Sequence, residues 1–239
     1  MSVPTCWQFL VKQQQRRTHE GDLPGRTLDD VTVAPIPYRH AKEFILNYEW
    51  LHSMGAAVFC YGMHIDGHLA CVACYGPPSS PKSYSRMVGP DISRMLLQLC
   101  RGASTFWAPK WAPSKLIARS LKLLTAQTDA RAVVAYADPQ AGEVGTIYQA
   151  CNGFYLGPTD AGGAKMYVVN GQMYHPRTVY RRFGSRAKDH LLTIDPNFTT
   201  IPIPPKHRYI FPLGSRADKN EMLNRIAPLV QPYPKRNTK

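Results

Sequence analysis

Asp66-Gly67 lies in the middle of a long apolar stretch, Val58 to Tyr75. A two-residue turn of this type tolerates positive φ at both positions, and its twist suits the strands on either side, so the stretch is predicted to be a β-hairpin. Pairing outward from the turn sets Ile65 opposite His68 and His64 opposite Leu69. Strict alternation then places Phe59, Tyr61, Met63, Ile65, Ala70, Val72 and Cys74 on one face. Val58, Cys60, His64, Leu69, Cys71 and Tyr75 fall on the other.

Elements of both kinds surround this hairpin. Residues 1–30 read as an extended or poorly ordered segment, because Gln13 to Arg17 is polar throughout and Pro24 lies between Gly21 and Gly25. Val31 to Pro37 is a short strand ending at prolines, and Ala41 to Trp50 carries Phe44, Ile45 and Tyr48 at helical spacing. Pro77 to Pro81 is a loop, and Ile92 to Cys100 is a strand or a short helix. Pro113-Ser114 opens a helix to about Leu124, with Ser114 as its cap and Ile117, Leu121 and Leu124 as its buried stripe. A β-branched strand, Arg131 to Ala137, stops at Asp138-Pro139, and a helix follows from Gly145 to Cys151. Ala164 to Val169 and Arg208 to Phe211 complete the strands. The fold class is therefore α/β, a single domain with a mixed, twisted sheet flanked by helices and a basic C-terminal appendage. The expected divisions are a core over 31–172 and a basic region over 173–239, ending in a mobile tail.

The charge distribution points to a polyanionic partner. Lys and Arg number 29 against 16 Asp and Glu. Residues 1–171 hold 16 basic and 12 acidic side chains, whereas 172–239 hold 13 and 4. Double-stranded DNA is the expected partner. No run approaches the roughly 18 apolar residues of a membrane span, and no signal-peptide core opens the chain. The six scattered cysteines read as reduced core thiols, placing the protein in the cytoplasm, with Cys100 and Cys151 as buried hydrophobes.

Four groups of residues are candidates for chemistry. The first is the stretch from Tyr136 to Gly157. There a strand delivers Asp138 at its carboxyl end, Gly142 and Gly145 give close access to a helix N-terminus, and Tyr148 lies one turn inside. A carboxylate and a phenol there suit acid–base work, while a cap at Asp138 and a packed Tyr148 are the structural alternative. The second is the row Lys115, Arg119 and Lys122, which either tracks phosphates or is a solvated face. The third is Arg177, Arg181, Arg182, Arg186 and Lys188, interleaved with Tyr180 and Phe183 in the manner of a nucleic-acid contact. The fourth is the looser pair Glu49 and His52, as catalytic or metal groups. Cys71-x-x-Cys74 is no zinc site, since positions three apart on a strand face opposite ways.

Several segments together resemble the Mom family of phage DNA-modification proteins. They are Tyr48-Glu-Trp-Leu-His52-Ser, Ile92-Ser-Arg94, Pro113-Ser114-Lys-Leu-Ile and, above all, Tyr136-Ala-Asp-Pro with its Gly-x-x-Gly-Thr-Ile-Tyr-Gln-Ala-x-Asn continuation. The resemblance covers about residues 35–215. It implies a GNAT-like acyltransferase fold and transfer of a carbamoylmethyl (acetamido) group to N6 of adenine in duplex DNA, protecting phage DNA from host restriction enzymes in the bacterial cytoplasm. It also implies catalytic roles for Asp138, Tyr148, His52 and Ser114, with Ser114, Lys115, Gly142 and Gly145 near the donor. Where the GNAT pyrophosphate loop is glycine-rich, this chain has Ala112-Pro113-Ser114-Lys115. Glu143 and Glu49 stand where the family pattern suggests histidines. The donor is left open, with an acetyl-coenzyme-A-like carrier and a divalent metal such as iron both within the family's range, and so is the oligomeric state, a homodimer included. The competing readings are an N-acetyltransferase acting on protein or small-molecule amines, and a non-catalytic DNA-binding protein whose 177–188 segment reads a groove.

Overall fold

In the computed structural model of the chain, the described residues are 6–21, 23, 30–79, 81–159, 165–174 and 176–235, without the side chains of 81–83, 176 and 177. In chain order the elements are α1 (Trp7–Thr18), β1 (Val31–Pro35), α2 (Tyr38–Tyr48), β2 (Phe59–Ile65), β3 (His68–Gly76), α3 (Pro81–Val88), α4 (Pro90–Ser93), β4 (Leu96–Ser104) and α5 (Ala112–Gln127). They continue with β5 (Ala132–Ala137), α6 (Thr146–Ala150), β6 (Phe154–Pro158), β7 (Lys165–Val169), β8 (Gln172–Tyr174) and α7 (Pro176–Phe183). The last are α8 (Lys188–Ile194), β9 (Thr199–Pro202), β10 (His207–Pro212) and α9 (Arg216–Ile226).

The expected mixed sheet is present, with seven strands in the order β1-β2-β3-β4-β5-β10-β6. The β4–β5 pair is parallel, whereas β1–β2, β2–β3, β3–β4 and β5–β10 are antiparallel. The parallel contact is short, joining only Leu96–Gln98 to Ala132–Val134. Beyond it β4 stays with β3 as far as Ser104, while β5 stays with β10 as far as Ala137. The two strands therefore part at their carboxyl ends and leave a notch, and a crevice at this end of parallel strands is where α/β proteins place ligands.

Packing follows from which side each residue takes. Val133, Ala135, Tyr209 and Phe211 join Tyr61, Met63 and Tyr75 under the α5 stripe of Leu116, Ile117, Leu121 and Leu124. Burying each such leucine is worth roughly 1.5–3 kcal/mol. The opposite face is covered in two patches. One is built by Tyr84, Val88, Ile92, Met222 and Ile226 of α3, α4 and α9, and the other by Ala41, Phe44 and Ile45 of α2.

The hairpin turn and its first pairs are as expected, but the register slips between Met63 and His64, where Met63 pairs with Cys71 and His64 with Leu69. Ala70 is the extra residue. From there on every side chain changes face, as a one-residue slip requires. Cys71 and Tyr75 thus join the α5 side with Tyr61, while Val72 and Cys74 join Cys60 under α2. The face assignment from strict alternation is corrected accordingly.

The N-terminal segment also differs from expectation: Trp7–Thr18 is helical, although it buries no residue. It is held by tertiary contacts rather than by an apolar stripe. Gln8 Nε2 donates to Tyr48 O at 2.6 Å, Gln15 Nε2 to Asn47 O at 2.9 Å, and Lys12 Nζ to Ser104 Oγ at 2.5 Å. The part of the expected irregular segment containing Pro24 and Gly25 lies outside the described residues.

Two compact units emerge, 1–157 with 207–239, and 158–206. The division expected at 172/173 is replaced by this one because β10 lies inside the large sheet and α9 covers it. Arg225 pairs with Asp91 and Glu221, and Arg131 with Asp218 and Glu221, so part of the C-terminal charge is neutralised within the first unit. The second unit is a β8-β7-β9 sheet with α7 and α8 around Val169, Val179 and Leu191. Gly184, at φ 76°, ends α7, so 177–188 is two helices with a break rather than one.

Candidate active site

Asp138 follows directly on β5, where Pro139 forces the chain out of the strand. Its Oδ1 accepts the Gln140 N–H at 3.0 Å and caps a single 3-10 turn, Pro139–Ala141. The capping reading is thus realised, and it fixes where the carboxylate stands. Its backbone N–H donates to Glu143 Oε2 at 3.3 Å, which draws a second carboxylate to the same strand end. Gly142, at φ 72°, closes the turn.

Tyr148 stands beside this turn. Its phenol donates to Tyr136 O at 3.3 Å, two residues before Asp138, and its ring packs against Tyr209 and Phe211. Burial pushes the phenol well above its ordinary value, and the charges of Glu143 and Glu49 push it further. Tyr148 keeps its proton until a stronger base arrives. The phenol is thereby tied to the strand end that carries Asp138.

Gly145 has a different role from close ligand approach. It caps α6 at φ 75°, and a Cβ there would lie 2.4 Å from Tyr209 Cε2. Tyr209 in turn donates to Val144 O at 2.6 Å, so a packed tyrosine covers the start of α6.

At the neighbouring α5, the helix opens at Ala112, not at Ser114. Ser114 Oγ donates back to Trp111 O at 2.9 Å, so the serine lies within the first turn and does not cap it. That turn has no acidic residue, and Lys115 Nζ lies 4.8 Å from the Trp111 ring centroid. Its positive end and Lys115 are the groups that would hold a donor's phosphates. Arg119 and Lys122 are exposed further along the helix. Cys151 donates to Ser114 O at 3.2 Å, and burial raises its thiol to about 11, so it is no thiolate nucleophile.

The other arm of the notch holds what the sequence only brushed. Glu49 follows α2 with 6% of its surface exposed, and its Oε2 accepts no hydrogen bond. Arg101 on β4 approaches that oxygen at 3.6 Å. Burial raises this carboxyl from its ordinary 4.5 to about 7; Arg101 and His52 oppose the rise and Glu143 adds to it. Arg101 itself carried no sequence signal, since it is one arginine in an apolar strand. His52 is exposed at φ 46°, with its Nδ1 2.7 Å from Leu46 O. Among the described residues no three His, Cys, Asp or Glu side chains converge as a metal site.

In the second unit, Arg181, Arg182, Arg186 and Lys188 are exposed, with Arg182 over Tyr174 and Arg186 over Tyr180 at 5.4 and 5.9 Å. The side chain of Arg177 lies outside the described residues. No described helix is long and apolar enough to cross a membrane.

The sequence profile of the Mom protein family matches residues 30–235. The chain belongs to this family. A relative from Escherichia phage Mu, named methylcarbamoylase mom, is 27% identical over 203 residues, covering 84% of this chain and 78% of its own. Among solved structures, an N-acetyltransferase of Staphylococcus aureus Mu50 has a TM-score of 0.42 at 9% identity, covering 77% of this chain and 97% of its own. The ribosomal-protein-S5-alanine acetyltransferase of Vibrio fischeri has a TM-score of 0.44 at 7% identity, covering 80% and 97%.

Proposed function

We propose that this family member is a DNA-modifying transferase that places a carbamoylmethyl group on N6 of adenine and so shields phage DNA from restriction enzymes. The observation that supports the reading most is the match to the Mom profile over residues 30–235, in a chain whose Tyr148 phenol bonds Tyr136 O, two residues before Asp138.

Adenine N6 is a weak nucleophile because its lone pair is delocalised into the ring, and in a duplex it is inaccessible. An enzyme acting on it extrudes the base at a cost of a few kcal/mol and grips its Watson–Crick edge. Asp138, fixed by its own cap, accepts a hydrogen bond from N6–H and increases electron density on the nitrogen. Tyr148, which holds its proton, hydrogen-bonds the donor's leaving atom or the base. The first turn of α5 with Lys115 orients the donor, and Ser114 shapes that turn. A coenzyme-A-like carrier, if that is the donor, would supply an activated carbon on sulfur. Lys115, Arg119 and Lys122, and separately Arg177, Arg181, Arg182, Arg186 and Lys188, supply cations for the DNA backbone.

The test is mass spectrometry of nucleosides from plasmid DNA in bacteria expressing the protein. A heavier deoxyadenosine, absent with Asp138→Ala, is expected. Unmodified DNA from well-expressed, folded protein would refute the reading.

A further inference from the structure

Deepening the adenine-transfer reading above and resting on it, we propose that Glu49 is the group that takes the proton from the attacking amine. In the step, the amine nitrogen uses its lone pair to bond the transferred carbon. The bond from that carbon to the donor's leaving heteroatom, sulfur or oxygen, breaks with its electron pair, and the departing atom is protonated from solvent. The N–H proton released by the nitrogen passes to a Glu49 oxygen.

Three features of the site carry this. First, Glu49 has an unused acceptor. Its side chain is 8% exposed, yet Oε2 accepts no hydrogen bond. A purely structural ion pair would aim the guanidinium at this oxygen. Arg101 does otherwise: Nε donates to Ser53 O at 2.5 Å, Nη2 to Ser53 Oγ at 2.8 Å and Nη1 to Cys100 O at 2.6 Å. The cation is locked in place by the loop after α2 and attracts the carboxylate only through space, at 3.6 Å.

Second, Glu49 is held within electrostatic range of groups on both sides of the notch. It is fixed at the end of α2, where its N–H bonds Ile45 O at 3.0 Å and where Gln8 of α1 grips the flanking Tyr48 O and Trp50 N. The groups that act on its charge come from both arms: Arg101 of β4, Glu143 after β5, and His52 of its own loop. Glu49 in turn acts on Tyr148 of α6 and on Cys74 of β3.

Third, its proton affinity suits the task, because a base works best when it titrates near the working pH, and this carboxyl does so at about 7.

The decisive measurement is carbon-13 NMR of the full-length protein labelled at glutamate carboxyls. One signal is expected to titrate near pH 7 and to vanish in Glu49→Gln. Alongside it, initial rates of deoxyadenosine modification are taken against pH with purified protein, plasmid DNA and a protein-free bacterial extract as donor source. The wild-type rate should rise through about pH 7. Glu49→Gln should lose at least 100-fold, as removal of a general base does, and should show no inflection there. Glu49→Asp should keep an inflection at an intermediate rate. A Glu49 signal titrating near 4, or a Glu49→Gln enzyme with the wild-type rate and profile, overturns the assignment. A wild-type protein that leaves adenine unmodified while the NMR signal titrates near 7 refutes the adenine reading and not the placement of the base.

Discussion

Replacing Glu49 by Gln should make the protein more stable, and by an amount that depends on pH. In the unfolded chain the carboxyl titrates near 4.5, whereas in the folded protein burial moves it to about 7. Below 4.5 both states are protonated and the group is neutral to stability. Between the two values the folded state holds a proton that the unfolded state has released, so stability falls by up to about 1.4 kcal/mol for each pH unit. Above about 7 both are ionised and the full loss of about 3 kcal/mol is reached. Glutamine removes the ionisation and with it this slope. The advantage of Glu49→Gln over wild type should therefore grow by about 2.5 kcal/mol between pH 5 and pH 8. For a protein of this size that corresponds to about 5–10 °C in melting temperature. Differential scanning calorimetry of both proteins at pH 5, 6, 7 and 8, in constant salt, reads it directly. A melting difference that is flat across this range, or that favours wild type at pH 8, would show that Arg101 stabilises the carboxylate fully and that the buried orphan oxygen is not strained.

Other expectations follow from single contacts. Arg101→Gln removes a cation that lowers the Glu49 carboxyl, so its NMR midpoint should move above 7; an unchanged midpoint would remove Arg101 from the site. Gly145→Ala combines positive φ with a Cβ set against the Tyr209 ring, and should lower unfolding free energy by about 3 kcal/mol in urea titration. Asp138→Asn should keep the cap to Gln140 and melt within a degree or two of wild type, while losing adenine modification in the nucleoside assay. Asp138→Ala should in addition lose about 1 kcal/mol with the cap. Replacing Arg181 and Arg186 together by Gln should reduce the slope of log affinity against log salt by about 2 for duplex DNA, measured by fluorescence anisotropy.

Local signals were enough for much of this molecule. Asp66-Gly67 placed the hairpin turn, Asp138-Pro139 ended β5, and helical spacing found α2 and α5, because each depends on backbone preferences of a few adjacent residues. That Tyr148 returns to the end of β5 was legible for the same reason, since only nine residues separate it from Asp138. What local pattern could not supply was any feature set by contacts distant in sequence. The extra residue at Ala70 reverses the faces of β3, and nothing in an apolar run without polar alternation marks such a slip. The helix at Trp7–Thr18 forms without an apolar stripe because α2 and β4 supply its partners. Glu49, a loose catalytic or metal candidate in the sequence, acquired its burial and its partner only when β4 brought Arg101, 52 residues further on, beside it. Backbone preference is read over a turn or two of chain, whereas burial, and the proton affinity that burial sets, exists only once remote segments have closed around a side chain.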